Sequence, residues 1–85
     1  MKEYYKILKD LREDNDLKQK DIADKLNISQ QYYSQYENGK RELPIRHLKA
    51  LCKFYNISAD YILGFTNDPS THWTINGGKN KLNFK

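Results

Sequence analysis

Apolar side chains recur every three or four positions through the first 64 residues, a spacing typical of one buried face of an α-helix. Capping and turn-forming residues divide this pattern into short segments. The predicted helices cover residues 4–15, 19–26, 29–38, 44–55 and 58–63. Only a few residues connect one segment to the next. The pattern therefore predicts an all-α fold, a bundle of five short helices.

The residues at the predicted helix ends suit those places. Ser29 and Ser58 can cap the third and fifth helices, because a serine hydroxyl accepts a hydrogen bond from a free first-turn N–H. Pro44 suits the first turn of the fourth helix, where its missing N–H costs nothing. Asn27 is expected to adopt the left-handed conformation after the second helix, and Gly39 to stop the third.

The composition changes after the fifth predicted helix. A breaker cluster at residues 67–70 precedes two short apolar alternations on either side of Asn76-Gly77-Gly78. This order resembles strand, turn and strand, so the tail is either a β-hairpin or disordered. We therefore predict a helical domain over residues 1–64 and a C-terminal tail over residues 65–85.

The third predicted helix carries two contrasting faces. At about 100° per residue, Tyr33 and Tyr36 fall together on one side of it. The opposite side, called the amide face below, consists of Gln30, Gln31, Ser34, Gln35 and Asn38. One side is suited to packing, whereas the other offers uncharged hydrogen-bond donors and acceptors.

An amide face matches the edges of base pairs in duplex DNA. In the major groove adenine presents an acceptor, N7, beside a donor, the N6 amine, and a glutamine amide satisfies both. Gln30 and Gln31 stand at the start of the helix, where side chains reach deepest when the N-terminus enters the groove. Lys40 and Arg41, just past the helix, can hold the phosphate backbone without reading sequence.

The stretch KQKDIADKLNISQQYYSQYENGKRELP resembles the helix-turn-helix of the phage Cro/CI-type repressors and their bacterial relatives. The resemblance covers about residues 4–64 and includes the Glu37-Asn38-Gly39 ending. It implies a lambda repressor-like DNA-binding domain. It also implies a sequence-specific transcriptional regulator, expected to be a repressor that blocks promoter access.

The resemblance and the position of the amide face together suggest roles for individual residues. Base contacts are expected from Gln30, Gln31, Ser34 and Gln35. Backbone contacts are expected from Gln19, Tyr32, Asn38, Lys40 and Arg41. Gln19 is further expected to orient the first reading glutamine. Arg12 of the first helix is expected to pair with Glu37 as a structural tie.

Several positions depart from the family pattern. Asn27 replaces the usual glycine of the turn, and Lys18 replaces the usual Ser/Thr cap of the second helix, which predicts a weaker cap. Tyr33 and Tyr36 replace aliphatic residues, so each hydroxyl must find a partner or reach solvent. An acidic cluster near the end of the first helix should repel phosphate if that end approaches DNA. It consists of Asp10, Glu13, Asp14 and Asp16.

Composition narrows the remaining possibilities. The 85 residues carry a formal charge of +4, which permits a polyanionic partner without requiring one. A single cysteine excludes an internal disulfide and a cysteine-based zinc cluster. No apolar run approaches the ~20 residues of a membrane helix, and the N-terminus lacks the apolar stretch of a signal peptide. We expect a cytoplasmic protein without membrane contact, metal or cofactor.

No enzyme is predicted, because no Ser/His/Asp set, carboxylate pair or glycine-rich phosphate loop is recognisable. His47 and His72 each lack a second ligand at metal spacing, and Cys52 lies on the apolar side of its helix. A protein-interaction module of the same fold, antitoxin-like, with DNA binding secondary, remains an alternative. We also expect a homodimer, at least on DNA. The tail either orders against a second copy or its own bundle, or stays flexible.

Overall fold

The computed structural model describes residues 2–70, and this part of the chain is helical. The helices are α1 Tyr4–Asp14, α2 Gln19–Leu26, α3 Gln30–Glu37, α4 Ile45–Tyr55 and α5 Ala59–Ile62. No strand occurs between residues 2 and 70. The prediction of an all-α, five-helix fold is thus confirmed. The predicted hairpin beyond residue 72 lies outside the described residues.

Every helix contributes to one core, together with Ile57, which lies between α4 and α5. The buried set consists of Leu8, Ile22, Ala23, Leu26, Tyr33, Tyr36, Leu51, Cys52, Ile57 and Ile62. Tyr33 and Tyr36 are each only 1% exposed, and their rings meet edge to face with centroids 6.2 Å apart. Burial of a large apolar side chain contributes roughly 1.5–3 kcal/mol, so the two tyrosines anchor α3 firmly.

The turn between α2 and α3 is built from local backbone bonds. Asn27 adopts φ 61° and ψ 43°, the left-handed conformation that its short polar side chain tolerates. The N–H of Ile28 then donates to the carbonyl of Ala23 at 2.9 Å, which satisfies one of the last free carbonyls of α2. Ser29 caps α3, because its hydroxyl accepts from the N–H of Tyr32 at 3.1 Å.

The start of α2 is stabilised differently from the usual Ser/Thr cap. The ammonium group of Lys18 has no acceptor atom, so its side chain cannot cap the helix. Instead, the carboxylate of Asp21 accepts from the backbone N–H of Lys18 at 2.8 Å. This is the reciprocal half of a capping box, which fixes the entry to α2 without a hydroxyl.

Two residues fix the path from α3 to α4. Gly39 has φ +73°, and a Cβ added there would lie 3.0 Å from the ring of Tyr5, so both conformation and space favour glycine. Pro44 precedes α4 as its N-cap, with extended backbone, rather than lying within the first turn as predicted. Its carbonyl accepts the first helical bond, from Leu48 N at 3.0 Å.

The chain turns back after α5. Gly64 has φ 85°, and the N–H of Phe65 donates to the carbonyl of Asp60 at 2.9 Å, which ends the helix. The N–H of Ser58 donates to the carbonyl of Pro69 at 3.0 Å. The segment after α5 therefore returns far enough for Pro69 to lie beside Ser58, the cap of that helix.

Candidate nucleic-acid interface

The first part of the amide face lies in the open. Gln30 and Gln31 are exposed at the beginning of α3. Together with Ser34 they line a shallow concavity, which Gln19 and Ser29 complete. The structure thus brings the first residue of α2 next to the first turn of α3. This surface is polar and uncharged, so it can form hydrogen bonds with a ligand that has both donors and acceptors.

A buried carboxylate lies beneath this surface. The side chain of Glu37, at the end of α3, is only 1% exposed, and that of Arg12 on α1 is 13% exposed. The Nε and Nη2 atoms of Arg12 donate to the two carboxylate oxygens at 2.7 and 3.0 Å. The amide nitrogen of Gln19 donates to the same carboxylate at 3.1 Å, and the hydroxyl of Tyr33 adds a further hydrogen bond.

These hydrogen bonds decide the protonation of the pair. Burial alone would raise the pKa of Glu37, but the hydrogen bonds from Arg12, Tyr33 and Gln19 outweigh it and hold the pKa below its usual value. The hydrogen bond to Glu37 raises the pKa of the Arg12 guanidinium despite its partial burial. The pair is therefore ionised at neutral pH, and its charges are compensated within the fold.

The network holds three helices together below the amide face. Arg12 also donates from Nη1 to the backbone carbonyl of Leu17 at 3.1 Å, which ties α1 to the segment before α2. Gln19 is the first residue of α2, and its bond to Glu37 fixes that helix start against the end of α3. The relative position of Gln19 and the amide face is thus set by packing and charge together.

The middle of the amide face has its own partners. The Nε of Arg41 donates to the side-chain oxygen of Gln35 at 2.9 Å, and its guanidinium lies 4.5 Å from the centroid of the Tyr32 ring. The ring of Tyr32 meets that of the buried Tyr36 edge to face at 5.7 Å. Arg41 therefore folds back onto α3 instead of extending freely from the loop.

The last part of the face is also internally bonded. The amide nitrogen of Asn38 donates to the hydroxyl of Ser34 at 3.3 Å, one turn earlier on the same side. Lys40 is exposed, while its backbone N–H donates to the backbone carbonyl of Gln35 at 2.9 Å. The ammonium group of Lys40 thus projects from a fixed backbone just beyond α3.

Charges on α1 lie on two sides of the molecule. Asp10 and Asp14 border a concavity shared with Tyr61 of α5, and Lys2 forms an ion pair with Asp10. Glu13 borders the surface that contains Asn38, and Asp10 reaches this surface as well. Lys6 and Lys9 also line that surface. Part of the acidic cluster thus faces α5, and the part nearest the amide face is accompanied by lysines.

Three features of the site were not anticipated from the sequence. Tyr33 was expected to fill the core, and its hydroxyl also reaches Glu37, four positions later on the same helix, a spacing that brings side chains together. The capping role of Asp21 was signalled by its place three residues after Lys18. The bond from Arg41 to Gln35 had no sequence signal, because it depends on how the chain turns at Gly39.

Within residues 2–70, no group of His, Cys, Asp and Glu side chains has the arrangement of a metal site. No helix of this part is long and apolar enough to span a membrane. His47 is buried against Tyr36, and burial, with a smaller effect of Arg46, lowers its pKa.

Comparison with known proteins gives a consistent match. A family model described as Helix-turn-helix matches residues 8–62. The chain is 36% identical over 66 residues to the uncharacterized HTH-type transcriptional regulator YobD of Bacillus subtilis (strain 168), covering 78% of this chain and 59% of that protein. It is 41% identical over 59 residues to the HTH-type transcriptional regulator ImmR of the same organism, covering 69% of this chain and 46% of that protein. The chain thus spans about half the length of these relatives. No solved structure matches it significantly.

Proposed function

Because the chain belongs to the Cro/CI-type helix-turn-helix family, we propose that it binds double-stranded DNA in a sequence-specific manner and regulates transcription. One observation carries this proposal. The amide face is exposed at the beginning of α3, next to Gln19, while the opposite side of the same helix is anchored by Tyr33 and Tyr36. A rigid helix with an open, uncharged hydrogen-bonding face is suited to read base edges.

The proposed mechanism begins with α3 entering the major groove by its N-terminus. Gln30 and Gln31 are exposed at that end and reach base edges first, with Ser34 one turn later. Gln35 lies farther along and contacts the next base pair. Each good bidentate contact discriminates against a wrong base by about 1–3 kcal/mol, so a few such side chains define a short site.

Backbone contacts supply most of the affinity in this mechanism. Lys40 and Arg41 lie just past α3 and hold phosphates without reading sequence. Gln19 and Tyr32, beside the amide face, and Asn38, at its far end, contact the sugar-phosphate backbone. Binding should therefore weaken as salt concentration rises.

We further propose that the protein acts as a homodimer on DNA. One domain contacts few base pairs, and a two-fold dimer places two recognition helices in successive major grooves about 34 Å apart. An apolar surface that contains Ile45 of α4 and Leu63, the residue after α5, supports this proposal, because the two are 73% and 37% exposed. Burial of such side chains between two copies is favourable.

The contribution of the tail to dimerisation is a separate proposal. A chain truncated after Ser70 keeps the bond between Ser58 and Pro69, so it isolates the effect of the remaining residues. A loss of dimer mass in sedimentation would support a role for the tail. Unchanged mass, melting temperature and DNA affinity would exclude it.

A second apolar surface, on α4 and the start of α5, supports one alternative function. A protein partner, as for an antitoxin, could cover the groove lined by Leu48, Cys52 and Ala59, with Lys49 and Lys53 at its rim. DNA binding would then be secondary. We favour regulation of transcription, by repression through occupancy of a promoter, because the amide face is exposed and flanked by cationic side chains.

Selection of bound duplexes from a random pool tests the proposal. The full chain should enrich a short motif with two-fold symmetry, and binding should weaken with added salt. A variant with Gln30→Ala and Gln31→Ala should retain the fold, because both side chains are exposed, yet fail to enrich the motif. Failure of the wild-type chain to enrich any motif would overturn the proposed function.

A further inference from the structure

We propose that Arg41 is a specificity-determining positioning residue, which makes Gln35 a hydrogen-bond donor and so selects guanine over adenine at one base pair. This inference rests on the proposed DNA binding. It concerns a different property, namely which base is preferred at the position that Gln35 contacts.

The contact between the two side chains is supported from below by packed rings. The Nε of Arg41 donates to the side-chain oxygen of Gln35 at 2.9 Å. The face of Tyr32 holds the guanidinium at 4.5 Å, and the buried Tyr36 holds Tyr32 edge to face at 5.7 Å. Stacking of a cation on an aromatic ring is favourable even at exposed sites. We call this arrangement of Tyr32, Gln35 and Arg41 the arginine clasp.

The backbone holds the two ends of the clasp together. The N–H groups of Lys40 and Arg41 both donate to the backbone carbonyl of Gln35, at 2.9 and 3.3 Å. The left-handed conformation of Gly39, with φ +73°, makes this reversal possible. The base of the Arg41 side chain is thus fixed relative to Gln35, and the guanidinium has little distance to span.

The clasp changes what Gln35 offers to DNA. A free glutamine amide presents one acceptor and two donors, a combination that matches adenine. Here the oxygen already accepts from a cation. The positive charge of Arg41 at this oxygen disfavours a second donor there, such as the N6 amine of adenine.

Guanine suits the clasp better than adenine. Its major-groove edge presents two acceptors, O6 and N7, and no donor. The oxygen of Gln35 is occupied by Arg41, so the amide N–H₂ of Gln35 is the group left to donate to this edge. The side chain of Gln35 thereby acts as a guanine reader although its residue type is typical of adenine readers.

Selection from random duplexes with matched variants tests the inference. The wild-type motif should contain guanine at the base pair whose preference is lost in Gln35→Ala. Arg41→Ala frees the oxygen of Gln35, so the preference there should move toward adenine by roughly tenfold. Lys40→Ala is the control, because it removes the neighbouring charge and leaves the side-chain bond intact. It should weaken all duplexes alike without changing the preferred base.

A second comparison shows whether Arg41 acts through Gln35. In the Gln35→Ala background, a further Arg41→Ala substitution should leave the base preference unchanged. A change there would mean that Arg41 reads the base by itself and would overturn the positioning role. Tyr32→Leu removes the ring beneath the guanidinium and should produce part of the Arg41→Ala shift.

The possible failures are distinguishable. Equal weakening of all sequences by Arg41→Ala, as with Lys40→Ala, would reduce Arg41 to a phosphate contact and overturn the inference while the proposed function stands. Adenine at this base pair in the wild-type motif would likewise overturn the inference and leave the proposed function standing. Absence of any enriched motif would overturn both proposals. Equal melting temperatures of the variants would show that each change in preference occurs in a folded protein.

Discussion

Glu37 at the end of α3 accepts two hydrogen bonds from Arg12 on α1, at 2.7 and 3.0 Å, although 25 positions separate the two residues. Gln19 and Tyr33 complete the shell of donors around the carboxylate. The helix that carries the amide face is thus fixed at its end by a buried charge, in addition to the burial of its aromatic side.

Removing either member of this pair should be costly. A buried charge left without its partner typically destabilises a protein by about 3 kcal/mol or more. Arg12→Met and Glu37→Gln should therefore each lower the free energy of unfolding by about that amount. The double variant should lose less than the sum of the two, as measured by urea denaturation. Strictly additive losses would show that the two charges do not interact.

Tyr33→Phe should lower the stability that the hydrogen bonds around Glu37 provide, by an amount that depends on pH. The fold lowers the pKa of Glu37, so the ionised carboxylate stabilises the folded protein. This stabilisation is fully present above about pH 4.3, the usual pKa of glutamate, and is lost as pH falls through the lower pKa of the folded state. Loss of the hydroxyl should lower the free energy of unfolding by about 1.5 kcal/mol at neutral pH. It should also raise the folded pKa of Glu37, so that acid unfolding begins at higher pH.

Tyr55→Phe is the matched control for that experiment. The hydroxyl of Tyr55 is buried and has no hydrogen-bond partner in the described part of the chain, and burial raises its pKa to about 12. Its removal should leave stability unchanged or raise it, because a buried group without a partner is unfavourable. If both Phe variants lose the same stability, the loss cannot be assigned to the bond with Glu37.

His47 should contribute a second, separate pH dependence. Its pKa is lowered in the fold, mainly by burial, so the unfolded chain takes up a proton at higher pH than the folded one. The contribution of neutral His47 to stability should be fully present above about pH 6.5 and should decrease as pH falls from there through the pKa of the folded state. His47→Leu should abolish the loss between neutral pH and the folded pKa, as followed by urea denaturation at several pH values. An identical pH profile in the variant would contradict the assignment.

Base readers and phosphate contacts should respond differently to truncation. Gln31→Ala should lower the binding free energy for the preferred duplex by about 1–3 kcal/mol and relax the base preference at one base pair per half-site. Gln30→Ala should have the same effects at a neighbouring base pair. Lys40→Ala should weaken all duplexes alike and flatten the log–log salt dependence by roughly 0.9 for each phosphate that is no longer neutralised. Fluorescence anisotropy at several salt concentrations measures both effects. Equal losses on preferred and random duplexes for all three variants would contradict the assignment.

Gly39→Ala should destabilise the end of α3. A residue other than glycine at φ +73° lowers the free energy of unfolding by about 1–2 kcal/mol, which is the conformational part of the loss. The added Cβ would also lie 3.0 Å from the ring of Tyr5, which is the steric part. Thermal unfolding should show a lower melting temperature. Adding Tyr5→Leu should relieve the steric part of the loss and leave the conformational part. A full recovery would mean that backbone conformation contributes nothing at this position.

The positions of the helices were predictable because their signals are local. Ser29 and Ser58 cap the helices that they precede, and Asn27 takes the left-handed conformation expected of it. Each depends only on residues a few positions away. The exception is Pro44, which lies just before α4 and not inside it, a difference of one residue at a helix end.

The contacts of the candidate site were less accessible from the sequence. The bond between Gln19 and Glu37 and the hydroxyl of Tyr33 depend on how α1, α2 and α3 pack, and hydrophobic spacing does not specify that geometry. The contact of Arg41 with Gln35 depends on a side-chain conformation after a left-handed turn. A pattern of residue types identifies which side of α3 is polar, but it does not say which polar groups already have partners.

The inner and outer positions of α3 alternate along one short segment. Tyr33, Tyr36 and Glu37 hold the helix in place, whereas Gln30 and Gln31 make no contribution to the core. Substitutions at the outer positions are therefore nearly free of any penalty in stability. A lineage can change which ligand surface this helix recognises while its scaffold stays the same, and a protein engineer can use the same freedom by replacing only the outer side chains.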